Sequence, residues 1–287
     1  MPLKIALFGS PQFCEPIIST LHPFNCNILY FKLNKDQKNK IRNTPTKIVY
    51  FDSIHDDFIF DELYTFQPDY ILVANFSEKV PQKVIKLAKK EALNFHPAIL
   101  PQYKGPDPFF WVLRNGEEMS GITVHKLTEK WDSGDILLTH TFKINLIDTY
   151  ATLTHKTCHE MVDLIKKLYP ILQKKNPIFT KQNKGRYFGK PQSSDYIIRW
   201  ENLSRDIYNQ IRSLPVNTPA IATVHKKIIK IIESEQTTIA SPEAGKLFIQ
   251  DNNIYIGTGD YYLNRNVLMD EFQIYSASTY LKVGIIS

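Results

Sequence analysis

The chain has 287 residues, which is enough for one large domain or for two smaller domains that each bury a core. It is 43% hydrophobic and 22% charged, an ordinary composition for a soluble globular protein. No apolar run approaches the ~20 residues of a membrane-spanning helix. The net charge of +6 is compatible with nucleic acid or a phosphorylated substrate as a partner, although a genome's base bias can produce the same balance.

Cysteine usage and the N-terminal segment both favour the cytosol. The three cysteines (Cys14, Cys26 and Cys158) are odd in number and form no CxxC pair, which fits a reducing compartment and argues against a thiolate metal site. The apolar part of residues 1–9 is too short for a signal peptide and predicts a first strand. The sequence therefore predicts a cytoplasmic, soluble protein without a bound metal.

In the first half of the chain, predicted strands alternate with predicted helices. Pro11 follows the first strand closely and is placed to open a helix. The apolar run at residues 70–74 predicts a strand that is buried on both faces. This alternation is typical of a parallel, doubly wound, Rossmann-like sheet. The predicted strands are residues 3–8, 27–31, 70–74 and 93–96, and the predicted helices are residues 12–21 and 81–90.

The rest of the chain predicts a second domain that is rich in strands. Composition changes after Lys174 into a polar connector, and Asp251-Asn252-Asn253 is a hairpin turn signal. The further predicted elements are strands at 121–127 and 135–142, a long helix at 152–169 ended by Pro170, and a helix at 204–214 followed by short strands. We predict an α/β catalytic domain at residues 1–175, a linker at 176–197, and a smaller β-rich, OB-like barrel domain at 198–287.

The most informative polar residues are Asn94 and His96. Side chains alternate along a strand, so both point to one face, and Pro97 leaves them at a strand end, where α/β sheets place their sites. Taken alone, the two would more often be polar residues satisfied by local hydrogen bonds. An amide donor, an imidazole and a distant carboxylate nevertheless suit a reaction that builds negative charge on a carbonyl oxygen, such as acyl transfer.

An ordered series of motifs extends this pattern. It consists of residues 94–105, Asn115-Gly116-Glu117, Gly121-Ile122-Thr123-Val124 and Asp132-Ser133-Gly134-Asp135-Ile136-Leu137. Together these runs resemble the formyltransferase family that uses 10-formyltetrahydrofolate. The resemblance implies a Rossmann-like formyltransferase domain and a two-domain layout similar to that of the members that act on tRNA or on sugar nucleotides.

The resemblance also implies roles for residues of this chain. Asn94 would donate a hydrogen bond to the formyl oxygen as it becomes an oxyanion, and His96 would add a second contact to that oxygen. Asp132 would orient His96 and help to manage the proton that leaves the attacking amine, whereas Asp135 would be structural. The donor, 10-formyltetrahydrofolate, would contact Ala98, Ile99, Leu100, Pro101, Asn75 and Val80.

Three features bear on the amine acceptor. His125 lies in an apolar strand and is better explained as a satisfied, partly buried histidine, with substrate contact as the alternative. Trp111 either shapes a substrate pocket or only packs its own helix. A basic run contains Lys35, Lys38, Lys40 and Arg42. It is explained at least as well by a solvated loop as by contacts with nucleic-acid phosphates.

The sequence thus predicts an N-formyltransferase that acts on a primary amine. The first expected acceptor is the methionine amino group of initiator methionyl-tRNA, which would place the enzyme in translation initiation. An amino sugar attached to a nucleotide is the close alternative. A hypothesis from another class is a non-catalytic RNA-binding module of the same fold, which the intact Asn94, His96 and Asp132 oppose.

Overall fold

A computed structural model describes residues 2–34, 46–224, 227–250, 253–269 and 274–276 of the chain. The strands are β1 (Lys4–Gly9), β2 (Asn27–Leu33), β3 (Lys47–Phe51), β4 (Tyr70–Ala74), β5 (Glu91–His96), β6 (Met119–Lys126), β7 (Ile136–Lys143), β8 (Ala220–Val224), β9 (Lys227–Ala240), β10 (Leu247–Gln250), β11 (Asn253–Gly257), β12 (Tyr261–Met269) and β13 (Ile274–Ser276). The α-helices are α1 (Pro11–Leu21), α2 (Asp57–Phe66), α3 (Gln82–Ile85), α4 (Pro108–Arg114), α5 (Tyr150–Leu172), α6 (Ser193–Tyr196) and α7 (Ser204–Arg212). None of the described helices combines the length and the apolar character needed to cross a membrane.

The chain divides into two compact units, and neither is one continuous segment. The first unit comprises Met1–Gly105, Met119–Lys143 and Thr154–Tyr187. The second comprises Pro106–Glu118, Ile144–Leu153 and Phe188–Ser287. The domain boundaries proposed from the sequence stay a prediction.

The first unit is built on a seven-stranded sheet in the order β3-β2-β1-β4-β5-β6-β7. The pairs from β3 to β5 are all parallel, which confirms the predicted Rossmann-like core. At the other edge, β6 runs antiparallel to β5, and β7 runs antiparallel to β6. The register of β5 on β6 pairs Asn94 with His125 and His96 with Thr123. Polar residues far apart in sequence therefore become neighbours at the end of β5.

Apolar strand residues explain why this sheet forms. All five residues of β4 are buried, as a strand covered on both faces requires. The rings of Phe8 and Phe31 stack with their centroids 4.4 Å apart, and Phe51 meets Phe8 edge-on at 6.1 Å. Burying side chains of this size stabilises the fold by about 1.5–3 kcal/mol each. The core thus holds the strands whose ends carry the polar residues.

The second unit contains a six-stranded sheet in the order β10-β11-β12-β9-β8, with β13 beside β12. All of its pairs are antiparallel. Phe110 of α4 and Ile207 and Ile211 of α7 share one buried cluster with sheet residues such as Ile229 and Ile256. The predicted β-rich C-terminal domain is confirmed, whereas its closure into a barrel stays a prediction.

Some elements differ from their predictions. The helix predicted at 81–90 is limited to α3, because the chain leaves it through turns in which Leu87 N–H bonds to the Val84 carbonyl. α5 continues through Pro170 instead of ending there. Leu172 is buried, so packing of the last turn outweighs the hydrogen bond that Pro170 cannot donate. The sequence analysis also did not predict β3 and α2, and β3 is only partly buried.

We expect burial to separate two isoleucine truncations in the first unit. Ile71 in β4 is fully buried, whereas Ile178 is 85% exposed. Ile71→Ala should lower the free energy of unfolding by about 2–5 kcal/mol because it leaves a cavity in a packed core. Ile178→Ala, the matched control, should change it by no more than about 0.5 kcal/mol. Urea unfolding of both variants tests this, and equal losses would contradict the described core.

Candidate active site

Asn94 and His96 lie on one face at the carboxyl end of β5. Asn94 is partly buried, and the intervening Phe95 points to the opposite face, as strand alternation requires. The His96 side chain is almost fully buried. The structure therefore places the two residues together at a strand end, as the sequence predicts.

Asp132 reaches the same place from the loop between β6 and β7. Its backbone adopts the left-handed conformation with φ of 48°, and its carbonyl accepts a hydrogen bond from Gln182 Nε2 at 3.1 Å. Two residues later, a Cβ on Gly134 would lie 2.0 Å from the Lys126 carbonyl oxygen. Only glycine fits there without a backbone shift, so the Asp132-Ser133-Gly134 run holds the loop close to β6.

The Asp132 carboxylate is the centre of the cluster. Its Oδ1 atom faces three side-chain nitrogens: Asn94 Nδ2 at 3.4 Å, His96 Nδ1 at 3.5 Å and His125 Nε2 at 3.5 Å. Its Oδ2 atom accepts a hydrogen bond from the Gly105 amide at 2.9 Å. A carboxylate that is 6% exposed thus has polar partners on both of its oxygens.

The tautomer of His96 follows from a backbone contact. His96 Nε2 lies 2.7 Å from the Tyr103 carbonyl oxygen, which can only accept a hydrogen bond. A neutral His96 ring therefore carries its proton on Nε2 and directs its Nδ1 lone pair at Asp132 Oδ1. The Tyr103 carbonyl orients His96, and the sequence analysis had assigned that role to Asp132.

His125 sets the orientation of the Asn94 amide. His125 Nδ1 lies 2.8 Å from the Lys126 carbonyl oxygen, so a neutral ring presents Nε2 as an acceptor. Asn94 Nδ2 donates to that atom at 3.1 Å. The reversed amide would place its oxygen against the Asp132 carboxylate, which is unfavourable. His125 is therefore a part of the cluster and not only a residue satisfied elsewhere.

The charges of the cluster are set by burial and by these contacts. Burial alone would raise the pKa of the Asp132 carboxyl, but His125 and His96 outweigh it and lower that pKa below its ordinary value. Burial lowers the pKa of the His96 imidazole, although the Asp132 carboxylate opposes the shift. Near neutral pH the site therefore combines an ionised carboxylate with a mostly neutral His96.

Thr123, which the sequence analysis does not single out, holds the loop that follows β5. Thr123 Oγ1 donates to the Ala98 carbonyl at 2.7 Å and accepts from the Leu100 amide at 3.1 Å. Ala98 and Leu100 are buried, whereas Ile99 and Pro101 are only partly buried. These four residues are predicted to contact the formyl donor. Among them, Ile99 and Pro101 present the most side-chain surface to a ligand.

Two more predicted donor contacts lie beyond the end of β4. Asn75 is exposed, and its amide donates to Ser10 Oγ at 3.1 Å. Val80 is 7% exposed, and it lines a cavity of about 340 Å³ in the first unit. The other residues that line this cavity are His55, Lys79, Pro81, Gln82 and Glu129.

The remaining predicted contacts are those to the amine acceptor of the formyl group. Trp111 lies in the second unit, where its indole N–H donates to the Gly189 carbonyl at 2.8 Å and its ring lies 5.1 Å from that of Phe188. These contacts show that Trp111 packs within that unit, and its contact with substrate stays a prediction. The basic residues Lys35, Lys38, Lys40 and Arg42 lie outside the described residues.

Within the described ranges, no group of three His, Cys, Asp or Glu side chains is arranged to hold a metal ion. The cluster instead offers an amide N–H, a neutral imidazole and a carboxylate. Such groups can stabilise developing negative charge and accept a proton. The signal for His125 lay in the alternation of its strand, which places Thr123 and His125 on one face, but its pairing with Asn94 depends on a register that sequence does not specify.

Comparison with known proteins agrees with this chemistry. The profile of the formyl transferase family matches residues 25–167, and the profile of the formyl transferase C-terminal domain matches residues 190–282. The methionyl-tRNA formyltransferase of Coprothermobacter proteolyticus is 30% identical over 272 residues, which cover 90% of this chain and 88% of that protein.

Two solved structures share the fold at lower identity. The N-formyltransferase from Helicobacter canadensis, in complex with folinic acid and dTDP-3-aminofucose, aligns with a TM-score of 0.72 at 20% identity, over 92% of this chain and 99% of that one. HypX from Aquifex aeolicus, in complex with tetrahydrofolic acid, aligns with a TM-score of 0.69 at 17% identity over 96% of this chain. The chain spans about half of HypX, because the alignment covers 46% of it.

The two profiles and the 30% identical relative together cover both units, and they show that the chain belongs to the formyltransferase family.

Proposed function

We propose that the chain transfers a formyl group from 10-formyltetrahydrofolate to a primary amine, the methionine amino group of initiator methionyl-tRNA. The observation that carries the proposal is the convergence of Asn94, His96 and His125 on the buried Asp132 carboxylate. This set provides both a hydrogen-bond donor for an oxyanion and an acceptor for a proton. Transfer of an acyl group to an amine needs these two functions.

The residues that would hold the donor fit a folate in their chemistry. The cavity beside Val80 is lined by the apolar Val80 and Pro81, by the cationic Lys79 and by the acidic Glu129. An aromatic ligand that carries both carboxylate and amino groups suits such a lining. Folinic acid and tetrahydrofolic acid are the ligands in the two structures with the same fold. When bound, the donor would supply a formyl carbon attached to a nitrogen that can leave.

Asn94 would stabilise the charge that develops on the formyl oxygen. One of its amide hydrogens points to His125 Nε2 at 3.1 Å, whereas the contact to Asp132 Oδ1 is longer at 3.4 Å. The second hydrogen can therefore exchange its weak contact for an oxyanion. His125 would act as the positioning residue that keeps the amide nitrogen turned toward the substrate.

His96 and Asp132 would handle the proton. The new bond joins the acceptor nitrogen to the formyl carbon, the bond from that carbon to the donor nitrogen breaks, and one proton passes from the acceptor nitrogen to the donor nitrogen. His96 Nδ1 and Asp132 Oδ1 are two acceptors 3.5 Å apart, so a proton taken from the amine can rest between them. The Asp132 carboxylate would then stabilise the protonated His96 ring until the proton is transferred to the leaving nitrogen of the donor.

The choice of acceptor rests on other features. The Coprothermobacter proteolyticus relative, which aligns with 90% of this chain, is a methionyl-tRNA formyltransferase, and the net charge of the chain is +6. The predicted basic contacts at Lys35, Lys38, Lys40 and Arg42 would add attraction for RNA phosphates. A nucleotide-linked amino sugar remains the second candidate, because the Helicobacter canadensis relative was solved with such a ligand.

The acceptor is tested by offering the protein 10-formyltetrahydrofolate with either methionyl initiator tRNA or a panel of nucleotide-linked amino sugars. We expect formyl-methionyl-tRNA and release of tetrahydrofolate in the first reaction. Turnover of a sugar without turnover of the tRNA would overturn the tRNA proposal and retain formyl transfer. Binding of tRNA with no consumption of the donor in any reaction would instead support the non-catalytic alternative.

Two neighbouring aspartates provide a matched test of the catalytic assignment. Asp132→Asn keeps the shape of the side chain but removes the buried negative charge, so it should lower kcat by about 10²-fold or more. Asp135→Asn, three residues away, should leave kcat within a few-fold of the wild type because that side chain is outside the cluster. Steady-state kinetics measure kcat for both variants, and circular dichroism checks that each variant is folded. Equal effects of the two changes would contradict the assignment.

The oxyanion role of Asn94 makes a separate prediction. Asn94→Ala removes the donor, and the loss of one oxyanion donor typically costs about 10²–10³ in kcat. The loss should appear in kcat more than in KM, since the contact forms fully only in the transition state. A variant that raises KM alone would show that Asn94 only binds substrate.

The protonation of His96 can be measured directly. Because burial lowers the pKa of this imidazole, it should titrate below the ordinary value of 6.5. Asp132→Asn removes the charge that favours the imidazolium, so the pKa of His96 should fall further. NMR titration of the ring protons, with the signal assigned by its loss in His96→Gln, tests both statements. A wild-type pKa above 6.5, or a rise in the variant, would contradict this description.

A further inference from the structure

The second unit contains a polar cavity that the formyl-transfer cluster does not use. Its volume is about 290 Å³. Segments from four parts of the unit enclose it: the turn after α4, the chain that follows β7, one face of α7, and β9. The lining residues are Gly116, Glu117, Glu118, Ile144, Asn145, Leu146, Arg205, Tyr208, Asn209, Arg212 and Gln236.

Helix periodicity brings two arginines to this cavity. Arg205 and Arg212 are seven residues apart on α7, which is about two turns, so they lie on one face with Tyr208 and Asn209 between them. Gly116 approaches this face closely. A Cβ at Gly116 would lie 2.6 Å from Asn209 Nδ2 and 3.3 Å from Arg205 Nη2. The absence of a side chain there leaves room for both polar groups.

Arg212 is buried and bonded to neutral acceptors. Its side chain donates through Nε to Asn209 Oδ1 at 2.9 Å and through Nη1 to the Asp148 carbonyl at 2.9 Å. Its guanidinium also lies 5.7 Å from the centre of the Tyr208 ring. These hydrogen bonds fix the guanidinium in one position, and the nearby Asp148 carboxylate favours its charged form.

Arg205 brings a second positive charge to the same face of α7. Within the part of the chain that the structure describes, no carboxylate lies within ion-pair distance of its guanidinium. Burial lowers the pKa of Arg212, and the charge of Arg205 lowers it further, whereas Tyr208 and Asp148 oppose the shift. Arg205 and Arg212 carry like charges on one face of α7, and an anion bound to both would favour the charged form of each.

The acidic residues of the cavity lie at its edge. Glu117 and Glu118 are exposed, as is Gln236 on β9. Solvent screens these exposed carboxylates as it screens the exposed Arg205, whereas the buried Arg212 is screened less. The side chains of Glu118 and Gln236 could also accept hydrogen bonds from the amino groups of a nucleobase. The cavity lining therefore combines two cations with exposed hydrogen-bond acceptors.

We propose that this cavity binds a phosphate ester of a nucleotide, with Arg205 and Arg212 as the cations that recognise the phosphate. Arginine presents planar N–H donors that match phosphate oxygens, and Asn209 adds an amide beside them. The volume of about 290 Å³ exceeds what a phosphate alone fills, so adjoining atoms of the ligand would enter as well.

Two sources carry this chemistry, the backbone of an RNA and the diphosphate of a nucleotide-linked sugar. The choice of RNA as the first ligand rests on the proposed function. The phosphate site itself rests only on the residues of the cavity. The test therefore uses ligands that carry no acceptor amine, so that binding is measured apart from formyl transfer.

The experiment compares two exposed arginines of the second unit, Arg205 in the cavity and Arg199 outside it. The intact protein is titrated with uncharged initiator tRNA and with uridine diphosphate between ~50 and ~200 mM salt. For tRNA, we expect Arg205→Gln to weaken binding about threefold to tenfold and to reduce the log–log salt slope by about 1. Arg199→Gln, the control for net charge, should leave that slope unchanged.

Glu118→Gln provides a test of opposite sign. It removes a carboxylate from the cavity lining without shortening the side chain, so it should strengthen phosphate binding.

The outcomes for Arg205→Gln separate the two sources. If this change weakens the binding of uridine diphosphate but not of tRNA, the phosphate belongs to a nucleotide sugar rather than to RNA. If neither ligand loses more affinity with Arg205→Gln than with Arg199→Gln, the proposal is overturned. Failure of formyl transfer to tRNA would refute the proposed acceptor but would leave the binding result standing.

Discussion

A buried carboxylate that must remain charged determines the architecture of the first unit's site. Burial raises the pKa of Asp132, and its ionised form is retained only because His125, His96 and the Gly105 amide lower it again. Each of these partners depends on a backbone feature: a strand end, a strand register or a turn. Losing any one of them would weaken the compensation of a buried charge, and a fully uncompensated buried charge typically costs several kcal/mol. The left-handed turn at Asp132 therefore helps to place the carboxylate against these partners.

Backbone carbonyls determine what the two histidines can do. Each ring uses one nitrogen to bond a main-chain oxygen, of Tyr103 for His96 and of Lys126 for His125. Their remaining nitrogens, His96 Nδ1 and His125 Nε2, each lie 3.5 Å from Asp132 Oδ1. A proton on either nitrogen favours the ionised carboxylate, which lowers the pKa of Asp132. In the proposed reaction, a proton taken from the amine would be held in this way, and the Asn94 amide would stabilise the negative charge on the formyl oxygen.

The sequence predicted the parts of this site that depend on local rules. Alternation along β5 placed Asn94 and His96 on one face, and the apolar run of β4 predicted a buried parallel strand. Asp132 came only from the resemblance, because no local pattern connects a loop residue to a strand about forty positions earlier. His125 is better explained from the sequence as a satisfied structural residue, since its contact with Asn94 depends on the antiparallel register of β5 on β6. Such long-range pairing is set by packing rather than by propensity.

Formyl chemistry and acceptor choice make different physical demands. In the proposed reaction, the Asp132 cluster would act on a formyl carbon and an amine nitrogen, which are the same atoms whether the amine belongs to methionine or to a sugar. Discrimination must therefore come from groups that contact the rest of the acceptor. Candidate groups of this kind are the paired guanidinium groups of Arg205 and Arg212 on α7. A phosphate-bearing acceptor would gain affinity from these two cations that an unphosphorylated amine would not.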